Sequence, residues 1–363
     1  MDARLRRRAF LGTAAAVSLA GFAGRPKAQD PAMVGFVYVG PVGDHGWTYR
    51  HDVGRKAVEE AFPEGQVETR FVENVSEGPD AERVIRQLAA TGSQLVFTTS
   101  FGFMNPTARV AQQFPDVKFE HCTGYKTGPN LAVYNARFYE GRDVIGTIAG
   151  HMSQSGIVGY IASFPIPEVV MGINAFFLAA RKVNPELELR VVWANTWYDP
   201  GKEADAAKTL IDQGADIIVQ HTDSPAALQV AQERGVYAFG QASDMRRFAP
   251  EAQLTAIVDN WNNYYIDRVQ ALLDGTWETH NVWYGLKEGL VEIAPYGPAV
   301  PPDVVDAAEA VRKGIVAGEH HPFEGPIHNQ AGEMVVAEGE HLSDEEILRM
   351  NYYVQGIQGT LPT

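Results

Sequence analysis

The stretch VGFVYVGPVGDHGWTYRHDV, residues 34–53, decides the fold. Val34, Gly35, Phe36, Val37, Tyr38 and Val39 form a short run of mostly β-branched and aromatic side chains, the pattern of a strand covered on both faces. Gly40, Pro41, Gly43, Asp44 and Gly46 then turn the chain. From Trp47 the period becomes helical, with Val53, Ala57, Val58 and Ala61 on one face. A strand running through a Gly-rich loop into a helix opens a doubly wound α/β unit, whose ligands sit at strand carboxyl ends beside helix N-termini. Asp44, His45 and Trp47 stand at that place, so the loop reads as half of a small-molecule site.

The same unit recurs outward from it. Residues 67–72 read as a strand, 80–90 as a helix, 95–99 as a strand leading into the loop 100–106, and a helix ends near Phe114. Strands at 118–121 and 131–134 and a helix at 140–153 follow. Then the plan restarts: strands at 156–161, 189–194, 217–220 and 236–239, with helices at 168–183, from Pro200 to Gln213, and up to Arg234. Two copies of four or five βα units predict a parallel sheet in each of two lobes, with a cleft between the strand ends. Loops pair across the copies, Asp44–Trp47 with Phe164–Pro167 and Ser100–Asn105 with His221–Ser224.

The remainder offers a strand at 254–258, a helix at 262–273, further strand over 282–293, and helices at 303–317 and 343–356. Such a tail is expected to cross back between the lobes and form a multi-strand hinge. The expected organisation is an export signal at 1–28; lobe 1 at 32–153 plus about 257–282; lobe 2 at 154–256 plus about 283–340; and a C-terminal helix and tail at 341–363.

At 363 residues, 45% hydrophobic and 21% charged, the chain is long enough for two cores. Arg6, Arg7, Arg8, Ala9, Phe10 and Leu11 precede a weakly apolar stretch, the pattern of a twin-arginine export signal cleaved near Ala28. Residues 1–28 hold six of the 30 Lys/Arg and one of the 45 Asp/Glu, so the remainder carries 24 and 44, a net −20. That balance argues against nucleic acid or anionic lipid as a partner. Cys122 is the sole cysteine, so no intramolecular disulfide forms; with none at the signal's end, no lipid anchor is expected. Cys122 itself reads as a small buried hydrophobe.

GxSxG, HExxH, P-loop and CxxC patterns are absent, Gly40, Gly43 and Gly46 do not make GxGxxG, and the histidines lack zinc-ligand spacing. What remains is aromatic. Trp47, Phe101, Phe103, Phe164, Trp197 and Tyr198 fall at or beside strand carboxyl ends, and several must simply pack. A loop-borne Trp in each lobe, at matching positions, would sandwich a flat ring. Asp44, Asn105, Asp199, Asp223 and Asp244 stand close in sequence, and such acceptors favour a donor-rich heterocycle.

These residues resemble the Bmp (basic membrane protein) or purine-nucleoside-receptor family of ABC-transporter substrate-binding proteins, from about Val34 to Pro295. Asp44-His45-Gly46-Trp47-Thr48 is similar to the family's D-K-S-[FW]-N motif, and Thr196-Trp197-Tyr198-Asp199-Pro200 to its S-F-N-D-P motif. Residues 137–150, RFYEGRDVIGTIAG, resemble its EG-x-L-A-G pattern, and residues 286–296, LKEGLVEIAPY, its late K-x-G-x-V-x-L-A-P-[YF] pattern. The resemblance implies a two-lobed type I periplasmic binding protein that is no enzyme, needs no cofactor, works as a monomer and feeds an ABC permease. It implies Trp47 and Trp197 as the purine sandwich, Asp44 at the base edge, and Asp244 and Lys287 near a ribose or paired with each other across the pocket floor. The family's lipoprotein cysteine is missing, and His221-Thr222-Asp223-Ser224 stands where a Gly-rich loop is usual. That variant looks closest to members that bind free nucleobase, adenine in particular. A nucleoside receptor, an exported nucleoside or heterocycle hydrolase, and the receptor lobe of a sensor are the competing readings.

Overall fold

The computed structural model describes residues 30–362; the signal expected at 1–28 lies outside the described residues. The opening strand is β1 (Ala32–Val37), and its helix is α1 (Gly46–Ala61). Then come β2 (Val67–Val72), α2 (Pro79–Ala90), β3 (Leu95–Thr98), α3 (Met104–Gln113), β4 (Lys118–Cys122), β5 (Leu131–Ala136) and α4 (Phe138–Met152). The second round is β6 (Ile157–Ala162), α5 (Pro167–Val183), β7 (Glu188–Trp193), α6 (Pro200–Asp212), β8 (Ile217–Gln220), α7 (Ala226–Arg234), β9 (Tyr237–Gly240) and β10 (Gln253–Asp259). The tail supplies α8 (Asn262–Asp274), β11 (Asn281–Tyr284), β12 (Val291–Ile293), α9 (Pro302–Ala317), β13 (Ile327–His328), β14 (Met334–Val336) and α10 (Asp344–Leu348).

The strands make two six-stranded sheets, ordered β2-β1-β3-β4-β5-β11 and β7-β6-β8-β9-β10-β12. Within these two sheets every pair is parallel except β10–β12. Val34, Phe36, Leu95, Val96, Phe97, Val158, Tyr160, Ile217 and Val219 are fully or almost fully buried, as strands covered by helices on both faces require. Two α/β lobes with matching strand order are the expected fold class.

The first crossing lies earlier than the expected boundary at 153. Helix α4, placed with the first lobe from sequence, packs against α5 and α9 and touches β10 and β12 of the second sheet. Gly146 and Gly150 allow this, because a Cβ on Gly150 would sit 2.7 Å from the Ala180 carbonyl oxygen of α5. The chain therefore crosses at 136–138, again at 259–262 between β10 and α8, and a third time at 284–291 between β11 and β12.

The crossings are stitched together. The Arg137 backbone N–H donates to Tyr284 O (2.7 Å) and its Nε to Trp283 O (3.0 Å). The Leu286 N–H donates to Glu140 Oε2 (2.8 Å), and the Asn260 N–H to Leu290 O (2.8 Å).

Two expected elements change, and one unexpected element appears. The strand expected over 282–293 is two strands in different sheets, parted by the turn at 285–290. The hairpin β13–β14 lies between the helices expected at 303–317 and 343–356, where no element was expected. The helix expected over 343–356 stops at Leu348, although Ser343 and Glu346 form a capping box at its start. Beyond it the Asn174 amide of α5 donates to Tyr352 O (2.8 Å) and accepts from the Val354 N–H (3.1 Å), holding the chain extended across α5.

Candidate functional site

Between the carboxyl ends of the two sheets lies a narrow cavity of about 30 Å³. Val39, Trp47, Ser100, Phe101 and Thr123 line it from the first lobe, and Glu168, Trp197, His221, Asp223 and Gln241 from the second. Past Phe101, Thr123 and Glu168 it adjoins a larger cleft bordered by Tyr125, Asn135, Trp283 and Arg349. Every lining residue follows a strand end or opens a helix, where parallel sheets offer their ligand sites. Thr123, Asn195 and Ala242 have φ of 69°, 51° and 57° within two residues of a strand end. Such backbone costs energy for a residue with a Cβ, and it concentrates where function dictates geometry.

The two indoles are held differently. Trp47 donates Nε1–H to Thr99 O (2.7 Å) and packs edge-on to His51 and Trp261. Its ring is thus built into the first lobe. Trp197 sits against Phe164 (5.1 Å between centroids, 60°) and points Nε1–H at Glu77 Oε1 of the other lobe (3.4 Å). They are not topological equivalents, contrary to expectation. Trp47 follows β1, whereas Trp197 follows β7, the counterpart of β2. The first-lobe loop matching that of Trp197 carries Glu77 instead.

The lobes are closed on each other. The Gly46 N–H donates to Ser243 Oγ (2.7 Å), the Trp47 N–H to Asp223 Oδ1 (3.3 Å), and Arg50 Nε to Asp259 O (2.5 Å). Gly46 has φ +75°, and a Cβ there would lie 2.6 Å from the Asp223 carbonyl oxygen. At the lip, exposed Arg247 pairs with exposed Asp44.

The second-lobe wall is acidic. Glu168, in the first turn of α5, has no hydrogen-bond partner among the described residues, and burial pushes its carboxyl up to about 7. Burial, reinforced by the neighbouring Glu203, pushes Asp223 up to about 8. Asp259 is fully buried with both carboxyl oxygens unpartnered, and burial raises it well above the carboxylate range. Glu203 is raised by burial, yet accepts from the Asp199 and Ser224 N–H groups (2.9 and 3.0 Å), tying the Trp197 and His221 loops together. Buried Arg142 donates Nη2–H to Gln220 O (3.0 Å) and Gln241 Oε1 (2.5 Å), which leaves the Gln241 amide N–H₂ as a donor for the cavity. Burial, with the Arg142 charge beside it, holds His221 well below the usual imidazole range.

Of the residues expected from sequence, Trp47, Trp197 and Asp223 line the cavity and Phe164 backs Trp197. The other four lie outside the lining. Asp44 is taken up by Arg247 and by His45 Nδ1 (2.8 Å), and Asn105 accepts from Lys126 Nζ (2.7 Å) on the exposed face of α3. Asp244 accepts from the Arg246 N–H (3.0 Å) and Gln253 Nε2 (2.6 Å), and Lys287 is exposed in the β11–β12 turn. Asp244 and Lys287 therefore do not pair across a pocket floor. Sequence reasoning missed Glu168 and Gln241 as lining residues. Their one signal was position, a helix start after β6 and the residue after β9.

Two mirrored α/β lobes that close over a cavity walled by indoles and carboxyls define a ligand receptor. The chain belongs to the Bmp family: the model for the ABC transporter substrate-binding protein PnrA-like family matches residues 32–320. A purine-binding protein of Brucella abortus is 57% identical over 347 residues, covering 95% of this chain and 99% of the relative. A putative ABC transporter glucose-binding protein of Haloferax volcanii is 37% identical over 341 residues, covering 94% and 84%. Among solved structures, an ABC transporter solute-binding protein of Conexibacter woesei superposes with a TM-score of 0.66 at 22% identity, over 80% of this chain and 98% of that one.

Proposed function

We propose that this chain is a periplasmic receptor for a free purine base, adenine above all, which it delivers to an ABC permease without chemical change. The observation that carries the reading is the cavity itself: Trp47 and Trp197 share its wall with Asp223, Glu168 and the Gln241 amide. Indoles suit the faces of a flat base, and the acids and amide suit its edge. The purine-binding relative matches the chain nearly end to end. The twin-arginine segment supplies the export route, and ligand closure supplies the signal to the permease.

Base is favoured over nucleoside because Asp244 and Lys287, the expected ribose partners, are outside the cavity lining. His221 stands on the cavity wall, in the loop for which the family resemblance implies a Gly-rich sequence. Each buried ribose hydroxyl left unpaired costs about 1–3 kcal/mol.

The test is side-by-side calorimetric titration of adenine, adenosine, guanine, guanosine and glucose, with mass spectrometry of ligand released from the purified protein. Adenine is expected to bind at least about tenfold more tightly than adenosine, a difference of about 1.4 kcal/mol. A tenfold preference for either nucleoside would replace base by nucleoside, and saturable binding of glucose alone would remove the purine reading.

A further inference from the structure

We propose that Glu168 and Asp223 read the base as two neutral carboxyl groups, each offering one O–H donor and one C=O acceptor, and so select 6-aminopurines over 6-oxopurines. The inference rests on the purine reading above. It begins with geometry. Both side chains line the cavity whose wall also holds Trp47 and Trp197, and both come from the second lobe, Glu168 from the start of α5 and Asp223 from the loop after β8. Glu168 makes no hydrogen bond to a described residue, and Asp223 uses one oxygen on the Trp47 N–H. Both therefore retain capacity toward a ligand.

The chemistry of the edge follows. A protonated carboxyl keeps one donor and one acceptor, whereas a carboxylate only accepts. Adenine presents an acceptor nitrogen beside its amine on the Hoogsteen edge, whereas guanine presents two acceptors there. The amine carries two N–H bonds, one toward each of its flanking ring nitrogens. Two neutral carboxyls can flank it, each accepting one N–H and donating its O–H to the adjacent nitrogen. A 6-oxopurine breaks the match on at least one side, because the oxygen has no proton to give.

The surroundings keep the acids neutral. Glu168 faces Cys122 at the end of β4, Asp259 at the end of β10 and Asp223. Asp223 faces Glu168, Asp259, Glu203 of α6, Tyr198 of the preceding loop and the Trp47 N–H. The cations that bear on Asp259 are Arg50 and Arg142; Arg50 already donates to the Asp259 carbonyl, and Arg142 donates through Nη2 to Gln220 and Gln241 while its buried Nε and Nη1 have no partner among the described residues. Burial places Glu168 near 7 and Asp223 near 8. Both acids ionise as pH rises through those values, so affinity for the neutral-edge ligand is full only below about 7, falls as pH rises through about 7 and falls more steeply through about 8.

The experiment is calorimetry of adenine binding to the intact receptor from pH 6 to pH 9, in buffers of different ionisation enthalpy, with guanine and hypoxanthine as comparators. Adenine affinity is expected to drop at least about tenfold between pH 6 and pH 9, with net proton uptake at pH 8. Glu168→Gln keeps one N–H donor and one C=O acceptor in place. Its diagnostic is the pH profile: whatever its affinity at pH 6, the variant should lose part of the slope and part of the proton uptake. Asp223→Asn should flatten the rest. Adenine binding with no proton uptake and no pH dependence would overturn the carboxyl readout and leave the purine receptor standing. Tighter binding of guanine or hypoxanthine than of adenine would also overturn it. Failure of any purine to bind the wild type would overturn both readings.

Discussion

Replacing Gly46 by alanine is expected to weaken ligand binding by roughly a hundredfold, about 3 kcal/mol, by keeping the lobes from closing. The added Cβ would meet the Asp223 carbonyl oxygen at 2.6 Å, a separation that real Cβ contacts do not show. That atom is backbone in the opposite lobe, so no rotamer change relieves the clash. The Gly46 N–H would also lose its reach to Ser243 Oγ, and the Trp47 N–H its reach to Asp223. A ligand would then meet one wall of its cavity rather than two. The φ of +75° adds a local strain of about 1–3 kcal/mol to the folded variant, so melting must be followed alongside binding. The diagnostic is small-angle scattering: wild type should contract when saturated, and the variant should not. A variant that binds with unchanged affinity and contracts normally would show that closure does not pass through this contact.

Trp197→Ala is expected to cost about 1–3 kcal/mol of binding, roughly tenfold to more than a hundredfold, with little effect on the melting of the free protein. The ring is part-exposed and rests on Phe164, with one weak reach to Glu77, so its removal leaves the second-lobe core intact. Trp47→Ala is the less clean probe. It deletes the bond to Thr99 O and the edge contacts with His51 and Trp261, so affinity and stability fall together. Trp197→Phe should recover much of the loss, since a flat face remains. Calorimetry that finds Trp197→Ala binding as tightly as wild type would remove the stacking role.

Much of the architecture was legible because short apolar runs alternated with helical periods twice over, and that alternation admits few layouts. What sequence could not read was partnership. The apolar face of α4 has the same period whichever sheet it covers, and only Gly146 and Gly150 hint at its close approach to α5. The C-terminal error has a sharper cause. Met350, Tyr353, Val354 and Ile357 follow helical spacing and are all buried, yet the chain there is not helical. Hydrogen bonds to the Asn174 amide outweigh a local preference of a few tenths of a kcal/mol per residue. At the site, position after a strand end found the right loops but not the side chains that face inward. Asp44 and Asp244 share those loops with Trp47 and Gln241, yet turn to Arg247 and to Gln253. Glu168 escaped notice because one carboxylate among 45 acidic residues carries no signal until burial singles it out.

The stitched crossings have a mechanical consequence. Three independent tethers would let the lobes twist, shear and bend; three bonded edge to edge act as a single flat strap, which bends easily about one axis and resists the other motions. Arg137 bonded to Tyr284 and Trp283, Glu140 to Leu286, and Asn260 to Leu290 make that strap. Closure is then expected to run along one angle, so that one distance between well-separated points on opposite lobes should report occupancy. With Cys122 buried and alone, two introduced surface thiols could carry such a ruler without competition from the native chain.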